Sequence, residues 1–115
     1  MIDFACKKFD LNEVIRCSLN LTKKEFKILE YLMKNSKKEF TTQQIAAVFN
    51  IGLSTSQKAI KNISEKGLLK KIQKNLNKGG YIIIYSIKEQ KILKQRILEI
   101  IHGWVKKVEK EIENI

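Results

Sequence analysis

Residues 41–86 read TTQQIAAVFNIGLSTSQKAIKNISEKGLLKKIQKNLNKGGYIIIYS, and this stretch decides the fold. It opens with Thr41 followed three residues later by Gln44, the spacing of a helix-starting box. There the first side chain accepts from the third residue's N–H and the third side chain reaches back. Ile45, Val48 and Phe49 then recur at helical spacing, which predicts a helix over Thr42–Phe49 with these three inward. Asn50-Ile51-Gly52-Leu53 is too short for anything but a tight connection, and Asn50 and Gly52 tolerate positive φ. Ser54 and Gln57 repeat the box. Ala59, Ile60 and Ile63 give the next helix, Thr55–Lys66, its apolar face, and Gly67 ends it. The period then changes. Leu68–Leu76 reads as a strand with basic interruptions, Asn77-Lys78-Gly79-Gly80 as a hairpin tip, and Tyr81–Tyr85 as a β-branched and aromatic strand.

Two helices across a short turn must cross steeply, so the second projects outward as in a helix-turn-helix, with small Ala46 suiting the crossing. The outward face of the second helix carries Ser54, Thr55, Gln57, Lys58 and Lys61, whose hydroxyl, amide and ammonium groups suit phosphates and base edges in a major groove. Thr42 and Gln43, at the start of the helix before it, join this candidate set. The hairpin is the candidate wing, with Lys70, Lys71, Lys74, Asn75, Asn77 and Lys78 placed to follow a phosphate backbone or reach a minor groove.

Outward from this stretch, Thr22…Glu25 and Asp10…Glu13 repeat the box. They predict a helix over Lys23–Asn35, with Phe26, Leu29, Leu32 and Met33 as its stripe, and a short one over Leu11–Cys17. Ser86…Glu89 opens the last helix, which runs to Ile115 at about 43 Å in length. Leu93, Ile97, Ile101, Trp104, Val108 and Ile112 lie along one side of it. One small core cannot cover so long a stripe, so a second copy is the expected partner, with residues 1–20 contributing to the same interface. The expected organisation is residues 1–20 as an N-terminal segment with a helix, 21–86 as the DNA-binding domain and 87–115 as the dimerisation helix. The fold class expected is mostly α with a small β-hairpin, a winged helix-turn-helix with a long C-terminal helix.

Charge supports a polyanionic partner. The 115 residues carry a formal net charge of +11, and the excess is concentrated. Residues 51–86 hold seven lysines (58, 61, 66, 70, 71, 74 and 78) against one acid, Glu65, whereas residues 1–50 hold nine cations and six acids, and 87–115 seven and five. A uniform compositional bias does not produce that distribution; a surface for DNA, RNA or an anionic membrane does, and the outward helix and wing favour double-stranded DNA among these. An N-terminus broken by Asp3, Lys7, Lys8 and Asp10 argues against a signal peptide or membrane span, so a cytoplasmic location is expected.

The run Thr41–Leu69 resembles the helix-turn-helix core of MarR-like regulators and archaeal TrmB-like regulators. Ser54-Thr55-Ser56, then Ile60, Ile63 and Glu65-Lys66-Gly67-Leu68, match their recognition helix and its exit. The segment GGYIIIYSIKEQKILKQRILEIIHGWVKKVEKEI is similar to the hairpin and final helix of the short, single-domain archaeal members. With Leu19–Asn35 the resemblance covers most of the chain. It implies a dimeric DNA-binding transcription regulator. Ser56 stands where such helices often have Val, which implies looser packing, and Lys58 where they often have Arg. Arg reads guanine bidentately and Lys does not, so the resemblance implies modest base selectivity, supplemented by the wing and by DNA shape. The sugar-binding domain that follows the helix in larger TrmB-like proteins is not expected after Ile115.

Catalytic and metal chemistry find no pattern. Cys6 and Cys17 lack metal-site spacing, and a redox pair is the one use they suggest. His102 sits among apolar residues of the last helix, where a packed or interface position is expected. Gly79-Gly80 lies between strands and not in a phosphate loop. No enzyme and no cofactor are expected. An effector pocket lined by Trp104 and the tyrosines has no support beyond their aromatic character, which packing into a core also explains. The reading from another class is a winged helix serving as a protein-interaction module of the transcription machinery; the basic outer face favours DNA over it.

Overall fold

The structure, a computed structural model, describes residues 2–4 and 7–115, with side chains from Lys8 onward. The elements are β1 (Ile2–Phe4), β2 (Lys7–Phe9), α1 (Leu11–Ser18), α2 (Lys23–Lys34), α3 (Thr42–Phe49), α4 (Leu53–Glu65), β3 (Leu69–Asn75), β4 (Tyr81–Ile87) and α5 (Gln90–Glu113). Helix pair, crossing turn, hairpin and long helix together make a winged helix-turn-helix.

Two of the starting boxes form in full. Thr22 and Glu25 exchange bonds of 2.8 and 3.1 Å at the head of α2, and Thr41 and Gln44 bonds of 2.9 and 3.1 Å at the head of α3. Asp10 caps α1 by accepting from the Asn12 N–H, while Glu13 turns to Arg16 instead of reaching back. The Arg16 guanidinium beside Glu13 holds that carboxyl below its usual range, and Glu13 in turn raises Arg16. Arg16 also donates to the Leu21 carbonyl, tying α1 to the loop after it.

The other two boxes do not form. Helix α4 starts at Leu53 with Gly52 as its cap, so Ser54 lies inside the first turn and caps nothing. The left-handed Asn50 (φ 51°), with the Ile51 N–H bonded to the Ala46 carbonyl, already delivers the chain to Gly52, whose own φ is an ordinary −66°. Ser86 belongs to β4, paired with Lys70, and α5 is capped at Glu89 without a side-chain bond. Strand pairing across Leu69↔Ile87 outlasts the local capping preference.

The hairpin pairs Leu69↔Ile87 through Asn75↔Tyr81. Its tip closes through the Leu76 N–H on the Gly80 carbonyl, with Gly79 and Gly80 at φ 91° and 78°, where a side chain is costly. Phe40 and Tyr85 exchange backbone bonds of 2.8 and 2.7 Å, giving β4 a second neighbour on its other edge. A second hairpin, β1–β2, pairs Ile2↔Phe9 at the N-terminus. Sequence reading gave residues 1–20 only a segment and a helix, because three-residue strands are too short for a period to register.

Leu19, Ile28, Leu29, Leu32, Ile45, Ile60, Ile63 and Leu68 are almost fully buried and form one core from the end of α1, from α2, α3 and α4, and from the hairpin base. Met33 and Val48, expected inward, are exposed. Ile28 is buried in α2 where Met33 is not, and α3 packs chiefly on α4, leaving the Val48 side open. Leu93, Ile97 and Ile100 seat the first half of α5 on this core, and α1 packs on α5. Arg96 donates from Nε to the Lys66 carbonyl at 2.7 Å, closing the end of α4. Gly67 (φ 76°) passes so close that a Cβ there would stand 2.9 Å from that Nε. From His102 onward every residue of α5 is exposed, and the described chain measures 62 × 26 × 25 Å. Trp104, placed from sequence on the stripe awaiting a second copy, with an effector pocket or an aromatic core also weighed, is 64% exposed, so it is not part of the chain's own core.

Candidate nucleic-acid interface

Helix α4 is held from behind. Ser56, Ala59, Ile60 and Ile63 are buried, which at 100° per residue turns Ser54, Thr55, Gln57, Lys58 and Lys61 outward, and all five are exposed. Ser56 does not loosen the helix crossing. It has no exposed surface and donates to the Thr42 carbonyl at 2.7 Å, which a Val cannot do. Asn62 fastens the helix on another side, donating from Nδ2 to Glu25 Oε2 at 2.7 Å. Glu25 accordingly serves the cap of α2 with one oxygen and α4 with the other. A rigid mount of this kind lets exposed side chains meet a ligand without ordering a backbone first.

The wing carries Lys70, Lys71, Lys74, Asn75, Asn77 and Lys78, all exposed. Strand alternation divides them, with Lys70 and Lys74 on one face and Lys71 and Asn75 on the other. Lys74 Nζ lies 3.7 Å from Glu39, in the loop before α3.

A cleft of about 280 Å³ separates wing from helices. Thr41, Thr42 and Gln43 line it from the α3 end, Gln57 from α4, and Tyr81, Ile82, Ile83 and Tyr85 from β4. The structure therefore gathers Thr42 (half-buried), Gln43 and Gln57 at one place. The lysines stand outside its lining, on the helix and wing surfaces. Sequence reading missed three residues here. Tyr81, more than half exposed at the cleft, sits opposite Asn75. Leu53 is exposed at the head of α4, and Glu39 opposes a wing lysine. Only Tyr81, directly after Gly79-Gly80 in a hairpin, had a signal in the sequence.

Of the candidate interface residues on α5, Leu93 is buried in the chain's own core and Ile97 packs against it, so these two are satisfied within one copy. Ile101 is half-buried; Trp104, Val108 and Ile112 are exposed, as is His102. Cys17 is a free, exposed thiol, and Cys6 lies outside the described residues. Among the described residues no cluster of His, Cys, Asp or Glu could hold a metal ion, and no helix is long and apolar enough to cross a membrane.

Residues 9–108 match the DnaD N-terminal domain. The chain belongs to that family. The match takes in α1 to α4, the wing and most of α5, so the matched region includes both the candidate interface and the projecting helix. Among relatives, the uncharacterised protein MJ1082 of Methanocaldococcus jannaschii is 30% identical over 104 residues, 90% of this chain and 84% of its own length. A solved structure named a possible transcriptional regulator, from Methanosarcina mazei Go1, is 32% identical with a TM-score of 0.87, covering 99% of this chain and 95% of that one. MepR from a Staphylococcus aureus clinical isolate, at 12% identity, a TM-score of 0.57 and coverage of 90% and 72%, shares the fold.

Proposed function

We propose that this member of the DnaD N-terminal domain family is a homodimeric, DNA-binding transcription regulator. Helix α4 enters a major groove with Ser54, Thr55, Gln57, Lys58 and Lys61. The wing follows the backbone or an adjacent minor groove with Lys70, Lys71, Lys74, Asn75, Asn77 and Lys78, and Thr42 and Gln43 hold a phosphate at the head of α3. The observation that carries this reading is the exposure of six lysines (58, 61, 70, 71, 74 and 78) on one continuous piece of chain, α4 and the wing. Cations so gathered release counterions from a duplex. The Methanosarcina mazei protein, named a possible transcriptional regulator, supports it, as does the likeness of Thr41–Leu69 to MarR-like and TrmB-like proteins. In this reading residues 21–86 bind DNA, 87–115 dimerise, 1–20 adjoin the dimer interface, and the protein works in the cytoplasm without catalysis.

Selection of random duplexes on the purified protein, at near-physiological salt, tests the reading. Enrichment of an inverted repeat with half-sites about one turn apart is expected; weak, sequence-blind retention would overturn it. The second reading, a protein-interaction module, draws on a shallow apolar hollow on the outer side of α3, where Phe40, Ala47 and the half-exposed Val48 meet. Retention without sequence preference would leave an architectural DNA binder or move weight to this module.

A further inference from the structure

The cleft between wing and helices has a strand edge for one wall. Tyr85 exchanges both of its backbone groups with Phe40, on the edge of β4 away from β3. Gly80 and Lys88, just before and just after the strand, face the other way and bond Leu76 and Leu68 on the β3 side. Successive residues of an antiparallel strand turn their N–H and C=O to alternate edges, so Ile83 and Tyr81 share the edge of Tyr85. Among the described residues no strand covers that edge beyond Phe40. The sheet has two strands, and the chain after Phe40 caps α3 at Thr41 and turns into the helix. Ile83 lines the cleft, so its N–H is a backbone donor offered there.

Four side chains bring hydrogen-bonding groups to the same space: Thr42 and Gln43 from the first turn of α3, Gln57 from α4 and Tyr81 from β4. Among the described residues none of the four makes a side-chain hydrogen bond within the chain. No acidic residue lines the cleft, and exposed lysines flank it on both sides, Lys58 after Gln57 and Lys78 before Tyr81. Its volume of about 280 Å³ lies under the roughly 300–1,000 Å³ of sites that enclose a small molecule. Neutral donors between cationic flanks suit a short piece of a longer anion, such as a sugar–phosphate strand.

We propose that this cleft seats one phosphodiester of the DNA strand that passes between α4 and the wing, and that Tyr81 is a contact residue for it; this rests on the DNA-binding reading above and adds to it a residue outside the lysine set. The Tyr81 hydroxyl and the Ile83 N–H donate to the phosphate from the wing, and Thr42, Gln43 and Gln57 donate from the helices. The exposed Ile82 and the tyrosine ring lie against the adjoining deoxyribose. A phosphate held from both walls fixes the wing and α4 on the strand together, setting register without reading a base.

Tyr81→Phe removes one oxygen and keeps the ring, on a residue 57% exposed. Fluorescence anisotropy compares the variant with the native protein on the duplex that selection enriches. It also compares them on copies of that duplex in which each phosphate in turn is replaced by a neutral methylphosphonate. The variant is expected to bind the unmodified duplex about tenfold more weakly, the worth of one hydrogen bond to a charged group. Neutralising one linkage in each half-site is expected to cost the native protein several-fold more than it costs the variant, because the two changes remove the same contact. Equal losses at every linkage would separate Tyr81 from any phosphate and overturn the inference, as would a variant that binds as tightly as the native protein. If the Lys58→Ala, Lys61→Ala double variant still weakens binding in that assay, the DNA reading survives the failure. Native protein that enriches no duplex overturns the DNA reading and the inference with it. Coincident melting curves confirm that the Phe variant keeps the fold.

Discussion

Ser56 Oγ donates to the carbonyl oxygen of Thr42 across 2.7 Å, joining the buried side of α4 to the first turn of α3. The bond sits at the helix crossing that aims the exposed residues of α4. Replacing Ser56 by Ala removes the bond but leaves no buried donor stranded, and is expected to cost about 1 kcal/mol in urea unfolding. Ser56→Val adds methyl groups at a position with no exposed surface, and is expected to cost more, about 2 kcal/mol. A Val variant as stable as the native protein would show that the crossing has room to spare.

Glu25 is buried and serves two helices, accepting from the Thr22 N–H and from Asn62. Glu25→Ala is expected to destabilise by about 2 kcal/mol, combining a lost cap with a lost charge-assisted bond. Glu25→Gln keeps an amide oxygen for Thr22, and Asn62 can turn its own oxygen toward the new amide. Its expected loss is less than half as large, measured by the same unfolding curves.

Lys58 and Lys61 are exposed and make no contact that folding depends on. The double change to Ala is expected to leave the melting temperature within about 5 °C, since each surface substitution shifts stability by only about 0.5 kcal/mol. Duplex affinity should fall, and the slope of log K against log salt should flatten by about 0.9 for each phosphate that the protein no longer neutralises. Fluorescence anisotropy over a salt series reads both. Unchanged affinity would remove α4 from the interface.

Glu39 draws one wing lysine, Lys74, toward the loop before α3. Both partners are about half exposed, so the pair contributes at most about 1 kcal/mol to stability. Glu39→Gln is expected to leave folding unchanged and to raise duplex affinity about two- to fivefold at low salt, with the gain fading as salt rises. Lower affinity in the variant would mean that Glu39 positions Lys74 for the duplex.

Much of the fold was legible before any tertiary contact was known. Thr22…Glu25 and Thr41…Gln44 announced their helices because a cap is decided by residues three apart. Asn50 and Gly79-Gly80 marked turns because positive φ is a property of the residue itself. The same local logic failed at Ser54 and Ser86. There, Asn50 and Gly52 started the helix early, and pairing with Lys70 kept Ser86 in a strand. The exposed lysines of the candidate interface were legible as a charge run, whereas Glu39 beside Lys74 was not.

Sequence alone determined the order of elements from α1 onward, the helix-turn-helix, the wing and the segment that carries the positive charge, since each depends on periodicity, caps and turns within a few residues. Tertiary structure decided the rest. Ser56 meets Thr42 across 14 residues and Asn62 meets Glu25 across 37, and no local pattern encodes such meetings. It also divided the apolar residues of α5, giving Leu93 and Ile97 to the chain's own core and leaving Trp104, Val108 and Ile112 outside. A helix of regular period presents apolar residues on more than one side, and only the position of the core shows which side is already covered.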